Sequence, residues 1–166
     1  MSQPTPTAPI SAQQRPIGRI LAEWAKLRVP TYQRDYSWTA IQINEFWEDI
    51  APILDGSRDS YFLGPLVFIK TTEGEIEVVD GQQRLACASL LLAAIRDTLK
   101  EANEIDRSNL IDQPFLCRRD FRSLDASPKL IMNENDNAIY ARIIQSSVNL
   151  EEMRKFTQDQ KSLLSH

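Results

Sequence analysis

The run Asp80-Gly81-Gln82-Gln83-Arg84 gathers four polar or charged side chains around one glycine. Ahead of it, Glu75-Ile76-Glu77-Val78-Val79 alternates polar and apolar residues, the period of a half-buried strand. Behind it, Leu85 to Ile95 is nearly all Leu and Ala, the composition of a buried helix. A strand that hands a glycine and polar side chains to a helix N-terminus makes an anion site, because unpaired backbone N–H groups and the helix dipole both favour negative charge there. Part of the run also reads as structure alone. Asp80 serves as N-cap, Gln83 reaches back as in a capping box, and Gly81 allows the tight entry. Arg84 does not fit that reading: a cation in a first helical turn sits at the positive end of the dipole, at a cost of about 0.3–1 kcal/mol. With the Gly81 and Gln82 amides it points to an anion, best matched by a nucleotide phosphate. Asp80 is then a ligand for a divalent cation such as Mg2+ on those phosphates.

A second packet, Tyr32-Gln33-Arg34-Asp35-Tyr36-Ser37-Trp38, carries three aromatics and a Gln-Arg pair. Two readings stand side by side. Either the rings plug the edge of the core while Arg34 and Asp35 face water, or the packet is a pocket wall with Arg34 forking onto a phosphate. In the second reading Tyr32, Tyr36 or Trp38 stacks on a base. Arg118, Arg119 and Arg122 form a local basic cluster, either solvated surface or the best nucleic-acid candidate of the chain. Glu45, Glu48 and Asp49 read as the solvated face of a helix.

Several chemistries are excluded. His166 is the sole histidine, which removes imidazole acid–base work and a His-ligated metal. Cys87 and Cys117 have no metal or redox spacing, and Cys87 falls in the apolar helical run as a reduced core residue. The chain has neither G-x-x-x-x-G-K-[ST] nor G-x-G-x-x-G, so a nucleotide site here is not of those kinds.

The elements that must position these residues read in order. Residues 1–15 form a disordered, Pro- and Thr-rich tail. Ile17, Ile20, Leu21, Trp24 and Leu27 share one helical face over residues 16–27. Pro30 enforces extended backbone on Val29. Thr39 and Gln42 match a capping box for a helix with Ile43, Phe46, Trp47, Ile50 and Leu54 on one stripe, ended by Gly56. Leu66 to Ile69 reads as an inner strand, paired through a Thr72-Glu73-Gly74 turn with residues 75–79 as a hairpin. The long helix ends near Ala102. A polar connection covers residues 104–112, followed by short strands at 115–119 and 128–132. Asn133 to Asp136 caps a last helix with Ile139, Ile143 and Ile144 inward, and a weaker charged helix covers 151–166.

The 166 residues, 42% hydrophobic and 25% charged, suit one domain with one core, here an α+β domain over 16–132 with a helical extension over 133–166. The net charge of −4 argues against a general DNA-coating protein. No stretch has the roughly 20 apolar residues of a membrane span, and the N-terminus lacks a signal-peptide layout, so the expected location is cytoplasmic.

Val29-Pro30-x-Tyr32-Gln33-Arg34-x-Tyr36-x-Trp38, then Phe62-Leu63-Gly64, then Val79 to Leu85 together resemble the DGQQR domain of the GmrS/GmrD restriction systems. The resemblance runs from about Ile17 onward. It implies a ParB/sulfiredoxin-like mixed β-sheet with helices packed around it, in which the segment Gly81 to Arg84 meets nucleotide phosphates. Gln82 stands where sulfiredoxin has its reactive cysteine, so sulfinic-acid reduction is not implied. What is implied is a nucleotide-binding, Mg-dependent, NTP-hydrolysing regulatory domain of an antiphage system against modified DNA. In it Arg84 and Gly81 hold phosphates, Asp80 positions metal or water, Gln82 and Gln83 orient phosphate or water, and Gln33 with Arg34 closes the pocket. Without a strong general base, hydrolysis is slow. Relatives that cut DNA continue into an HNH-type nuclease domain. This chain is therefore either the N-terminal part of a longer protein or a partner of a separate nuclease subunit. The alternatives are a non-catalytic nucleic-acid sensor using Arg34, Arg118, Arg119 and Arg122, and a scaffold for that nuclease; a homo-oligomer is compatible with each.

Overall fold

The central strand of the sheet is only two residues long, and most of the fold is arranged around it. The computed structural model describes residues 11–145, apart from 73, 121, 123 and 124. Along these residues run α1 (Ile17–Glu23), β1 (Leu27–Arg28), α2 (Ala40–Leu54), β2 (Val67–Lys70), β3 (Ile76–Asp80), α3 (Gln82–Glu101), α4 (Ile105–Ile111), β4 (Cys117–Arg119), β5 (Ala126–Pro128), β6 (Leu130–Ile131) and α5 (Glu134–Gln145). The sheet order is β2-β3-β1-β6; β2 and β3 form the expected antiparallel hairpin, while β1 runs parallel to β3 and β6. β4 and β5 make a separate antiparallel pair. The domain is α+β with a mixed sheet, as expected.

Leu27 N–H donates to the Lys129 carbonyl (2.7 Å) and Val29 N–H to that of Ile131 (2.8 Å), so β1 is held on the β6 side. Leu27, Val29, Val78 and Leu130 are buried with Leu85, Ala86 and Ala93 of α3 and Tyr140 and Ile144 of α5. The alanines of α3 keep its backbone close to its neighbours, which is what an almost unbroken Leu/Ala run is suited to.

The first helix is shorter than expected. It stops at Glu23, Trp24 is already extended, and Leu27 enters the sheet. Strands on both sides satisfy the backbone groups of β1, which outweighs the helical spacing of its apolar residues. Trp24 is nonetheless a core residue, edge-on to Phe68 with ring centroids 4.4 Å apart. The apolar run Leu66 to Ile69 is not an inner strand. β2 is an edge strand with Val67 and Ile69 exposed, and only Phe68 turns onto Trp24. α2 has the expected Thr39–Gln42 capping box, and Gly56 at φ +77° follows its end. Its apolar stripe is largely open, however: Phe46 is its one buried residue, set against Cys87 and Ala88, while Ile43, Trp47 and Leu54 are exposed. α2 is held through Phe46 on α3 and through the Tyr61 hydroxyl, which donates to Asp49 (2.7 Å).

The expected polar connection at 104–112 is α4, continued by a π-helical turn at Asp112–Leu116. Its position follows from Arg96, fully buried, which pairs with Asp97 (2.8 Å) and Asp112 (2.9 Å) and donates to the Ile143 carbonyl (3.1 Å) and that of Ile144. The expected strand at 128–132 is split between two sheets. Lys129 lies at the break and turns inward, its Nζ donating to the carbonyls of Leu21 (2.9 Å), Ala22 (3.0 Å) and Pro114 (2.6 Å). The N-cap of α5 is as expected, with Asn133 Oδ1 accepting from Asp136 N–H (3.2 Å). The tail through residue 10 and the charged helix expected over 151–166 lie outside the described residues. No described helix is long and apolar enough to cross a membrane.

Candidate functional site

Gly81 turns β3 into α3 at φ +86°, and a Cβ there would stand 2.1 Å from Leu66 Cδ2. The left-handed backbone favours glycine, and a larger residue would also have to displace the end of the Leu66 side chain. Gly81 itself is the N-cap of the 20-residue α3, and no side chain caps that end. The expected Asp80–Gln83 capping box is absent, because both side chains are engaged elsewhere. Asp80 Oδ1 accepts the Gly81 N–H (2.8 Å), so this amide is not open as the sequence suggested, and Oδ2 lies 3.6 Å from Arg84 Nη2.

Gln82 and Gln83 are buried, at 5% and 6% exposure, and they clamp the second packet. Gln82 Nε2 donates to the Arg34 carbonyl (2.8 Å) and Gln83 Nε2 to that of Asp35 (3.1 Å), while Gln83 Oε1 accepts from Ser37 N–H (2.9 Å). Gln33 Nε2 returns the contact by donating to the Val79 carbonyl (2.9 Å). The two sequence motifs are thus one hydrogen-bonded unit. Its far side is fastened by the start of α5: Asn133 and Asn135 donate to the Asp35 carboxylate (2.8 and 3.1 Å), and Asp136 accepts from Tyr36 N–H. The sequence reading missed these three contributors, since Asn133 to Asp136 carried only a helix-start signal.

Arg84 Nη1 donates to the Leu63 carbonyl (3.0 Å). Gly64, at φ +94°, makes room for it, because a Cβ would come within 2.1 Å of Nη1. That is the physical content of the Phe62-Leu63-Gly64 segment. The Arg84 side chain is 22% exposed, so the guanidinium reaches the surface although it is partly engaged.

The aromatics separate. Tyr36 packs against the core with its buried hydroxyl beside the Cys87 thiol; burial first, then Cys87, push its ionisation well up. Trp38 is half-buried against Phe46, ring centroids 6.0 Å apart. Tyr32 and Arg34 are exposed beside the clamp. Arg118 and Arg119 on β4 and Arg122 beyond it are exposed on the two-stranded sheet and do not join the motif.

One buried atom of the clamp is unpaired. Gln82 Oε1 has no hydrogen-bond partner among the described residues, and the Nε2 bond to Arg34 fixes which way it faces. Among the described residues no group of three or more His, Cys, Asp or Glu side chains gathers for a metal. Asp80, 58% exposed, keeps lone pairs for one cation contact. That suits Mg2+ only where phosphates and waters supply the other oxygens, its usual manner of binding beside nucleotides. A family model described as GmrSD restriction endonuclease, N-terminal domain, matches residues 17–165. No curated protein matches the chain.

Proposed function

The chain belongs to the family of GmrSD restriction endonuclease N-terminal domains, and from that premise we propose that it is the nucleotide-binding, NTP-hydrolysing regulatory component of a restriction system. The observation that carries this reading is the start of α3. A long helix opens there with no side chain of its N-cap bonding its first-turn amides, the Arg84 guanidinium stands in its first turn, and Gln82 Oε1 is buried without a hydrogen-bond partner among the described residues. Uncapped amides and a guanidinium favour phosphate oxygens. Arg84 has donors left, since a guanidinium carries five N–H groups and the Leu63 carbonyl and Asp80 engage only part of them.

The two glutamines take different roles. Gln83 spends both ends of its amide on the 35–37 loop and so positions that loop. Gln82 has its nitrogen fixed and its oxygen unpaired, so it accepts a proton donor, and water is the natural one. In hydrolysis that water adds to the terminal phosphorus, the bond to the bridging oxygen breaks, and the water's proton passes to phosphate or solvent. Asp80 would hold a Mg2+ ion, which would supply charge neutralisation on the phosphates. Arg34 and Tyr32 stand on the loop opposite, for a second phosphate contact and for a base. No imidazole stands in either motif, so turnover is slow. DNA cutting is assigned to an HNH-type domain or subunit, because one histidine cannot furnish that site.

Phosphate release from GTP, CTP, UTP and ATP with Mg2+ tests the enzymatic half. At least one nucleotide is hydrolysed by the wild type, and the rate falls at least about tenfold in both Asp80→Ala and Arg84→Ala, with circular dichroism unchanged. Absence of release, or rates indifferent to both substitutions, contradicts hydrolysis at this site.

A further inference from the structure

Between β1 and α2, the segment 33–37 has no regular secondary structure, yet each of its residues is anchored. The Gln33 carbonyl accepts from Asn133 Nδ2 (3.5 Å), and those of Arg34 and Asp35 accept from Gln82 and Gln83. The Tyr36 and Ser37 N–H groups donate to Asp136 and Gln83. The Arg34 guanidinium is the charged group of this segment that has no partner among the described residues. Its neighbour in sequence could have neutralised it: Arg96 and Asp97, equally adjacent, pair at 2.8 Å. Asp35 instead has both carboxylate oxygens taken by neutral amides. Oδ1 accepts from Asn133 Nδ2 (2.8 Å) and Asn135 Nδ2 (3.1 Å), and Oδ2 accepts from Asn135 Nδ2 (3.1 Å). Asn133 is buried and uses both ends of its amide, its Oδ1 accepting from Asp136 N–H (3.2 Å).

We propose that Asp35 is a positioning residue of the nucleotide site: Asn133 and Asn135 at the start of α5 grip its carboxylate, and Arg34 is thereby held free for a phosphate. The proposal rests on the nucleotide-binding reading and deepens it, because it makes the start of α5 a support of that site. Asp35 touches no ligand in this role. A carboxylate left loose beside Arg34 would pair with the guanidinium and repel an incoming phosphate, and the two amides prevent both. They do so without bringing a second cation to compete for the anion. Anchoring the backbone on both sides of Arg34 also leaves little of the loop to be ordered when a ligand binds. The contact spans about a hundred positions of sequence, so the loop and α5 are held to each other only in the folded chain.

A double-mutant cycle read by isothermal titration of GTP, CTP, UTP and ATP with Mg2+ into the full chain tests it. For the tightest-binding of these nucleotides, Arg34→Ala and Asp35→Ala each weaken affinity about five- to tenfold, and the double variant is no weaker than Arg34→Ala alone. A merely structural role for Asp35 lowers affinity by the same factor whether or not Arg34 is present. Asn135→Ala, at an exposed position, removes two of the three amide bonds to Asp35 and leaves the loop's own residues intact. It shows the same dependence on Arg34 and carries the test where Asp35→Ala does not fold. Two results overturn this proposal alone, with Arg84→Ala still weakening binding: affinity unchanged in Asp35→Ala and Asn135→Ala, or an equal loss with and without Arg34. No nucleotide binding by the wild type overturns the nucleotide reading and this proposal with it.

Discussion

Arg84 pays for its position in the first turn of α3, where the helix dipole disfavours a cation by about 0.3–1 kcal/mol. Asp80 four residues earlier and the Leu63 carbonyl offset that cost. The same contacts aim the guanidinium, so a ligand meets a donor already in place instead of ordering a long side chain on binding. Gly64 makes the arrangement possible. Gly64→Ala sets a methyl 2.1 Å from Arg84 Nη1 on a backbone at φ +94°, and the expected loss is about 1–3 kcal/mol by urea unfolding. Part of that loss is the displaced arginine. Gly64→Ala combined with Arg84→Ala is therefore less destabilising than the sum of the two single variants; strict additivity would show that the two residues are independent. Tyr36 shows the limit of reading a residue by type. Its ring suited base stacking as well as core packing, and only the fold shows that its hydroxyl is buried near Cys87.

At the scale of elements, the short β1 is reinforced by charge. Glu75, just before β3, accepts from Lys26 and from Arg28 Nε (3.2 Å), a pairing that spans β1 and β3. The Glu75 carboxyl is held below the usual glutamate range, first by the Lys26 hydrogen bond and also by Arg28. The folded state therefore binds this proton more weakly than the unfolded state. Its contribution is complete above about pH 4.3, the unfolded-state value, and is lost as pH falls through the lower folded-state value. The urea midpoint of the wild type thus drops across that acid window, and Glu75→Gln flattens this part of the profile; an identical drop in the variant contradicts the assignment. The elements also show what the sequence could and could not convey. The hairpin, the capping box at Thr39, the start of α5 and the strand–turn–helix at Gly81 were legible because each depends on neighbouring residues. The end of α1 at Glu23 was not, because the pairing that draws Leu27 into the sheet comes from residues 76 and 130. The edge position of β2 was equally hidden, since an apolar run does not say which faces are covered.

At the scale of the whole molecule, three segments far apart in sequence converge on the start of α3. The loop at 33–37 is gripped by Gln82 and Gln83, Leu63 and Gly64 by Arg84, and the start of α5 by Asp35 and Tyr36. The other half of α3 carries Arg96, which holds the last turn of α5 through the Ile143 and Ile144 carbonyls. One helix therefore links the candidate phosphate site to the point where the chain continues past residue 145. The sequence marked both motifs but not their direct hydrogen bonds, because side-chain contacts across nearly fifty residues leave no periodic trace. Isothermal titration of GTP, CTP, UTP and ATP into the full chain with Mg2+ tests the central claim most directly. The account predicts one-to-one binding of at least one nucleotide, weakened at least about tenfold, or 1.4 kcal/mol, by Arg84→Ala in a variant whose circular dichroism matches the wild type. No binding by any nucleotide, or equal affinity in the variant, would contradict it.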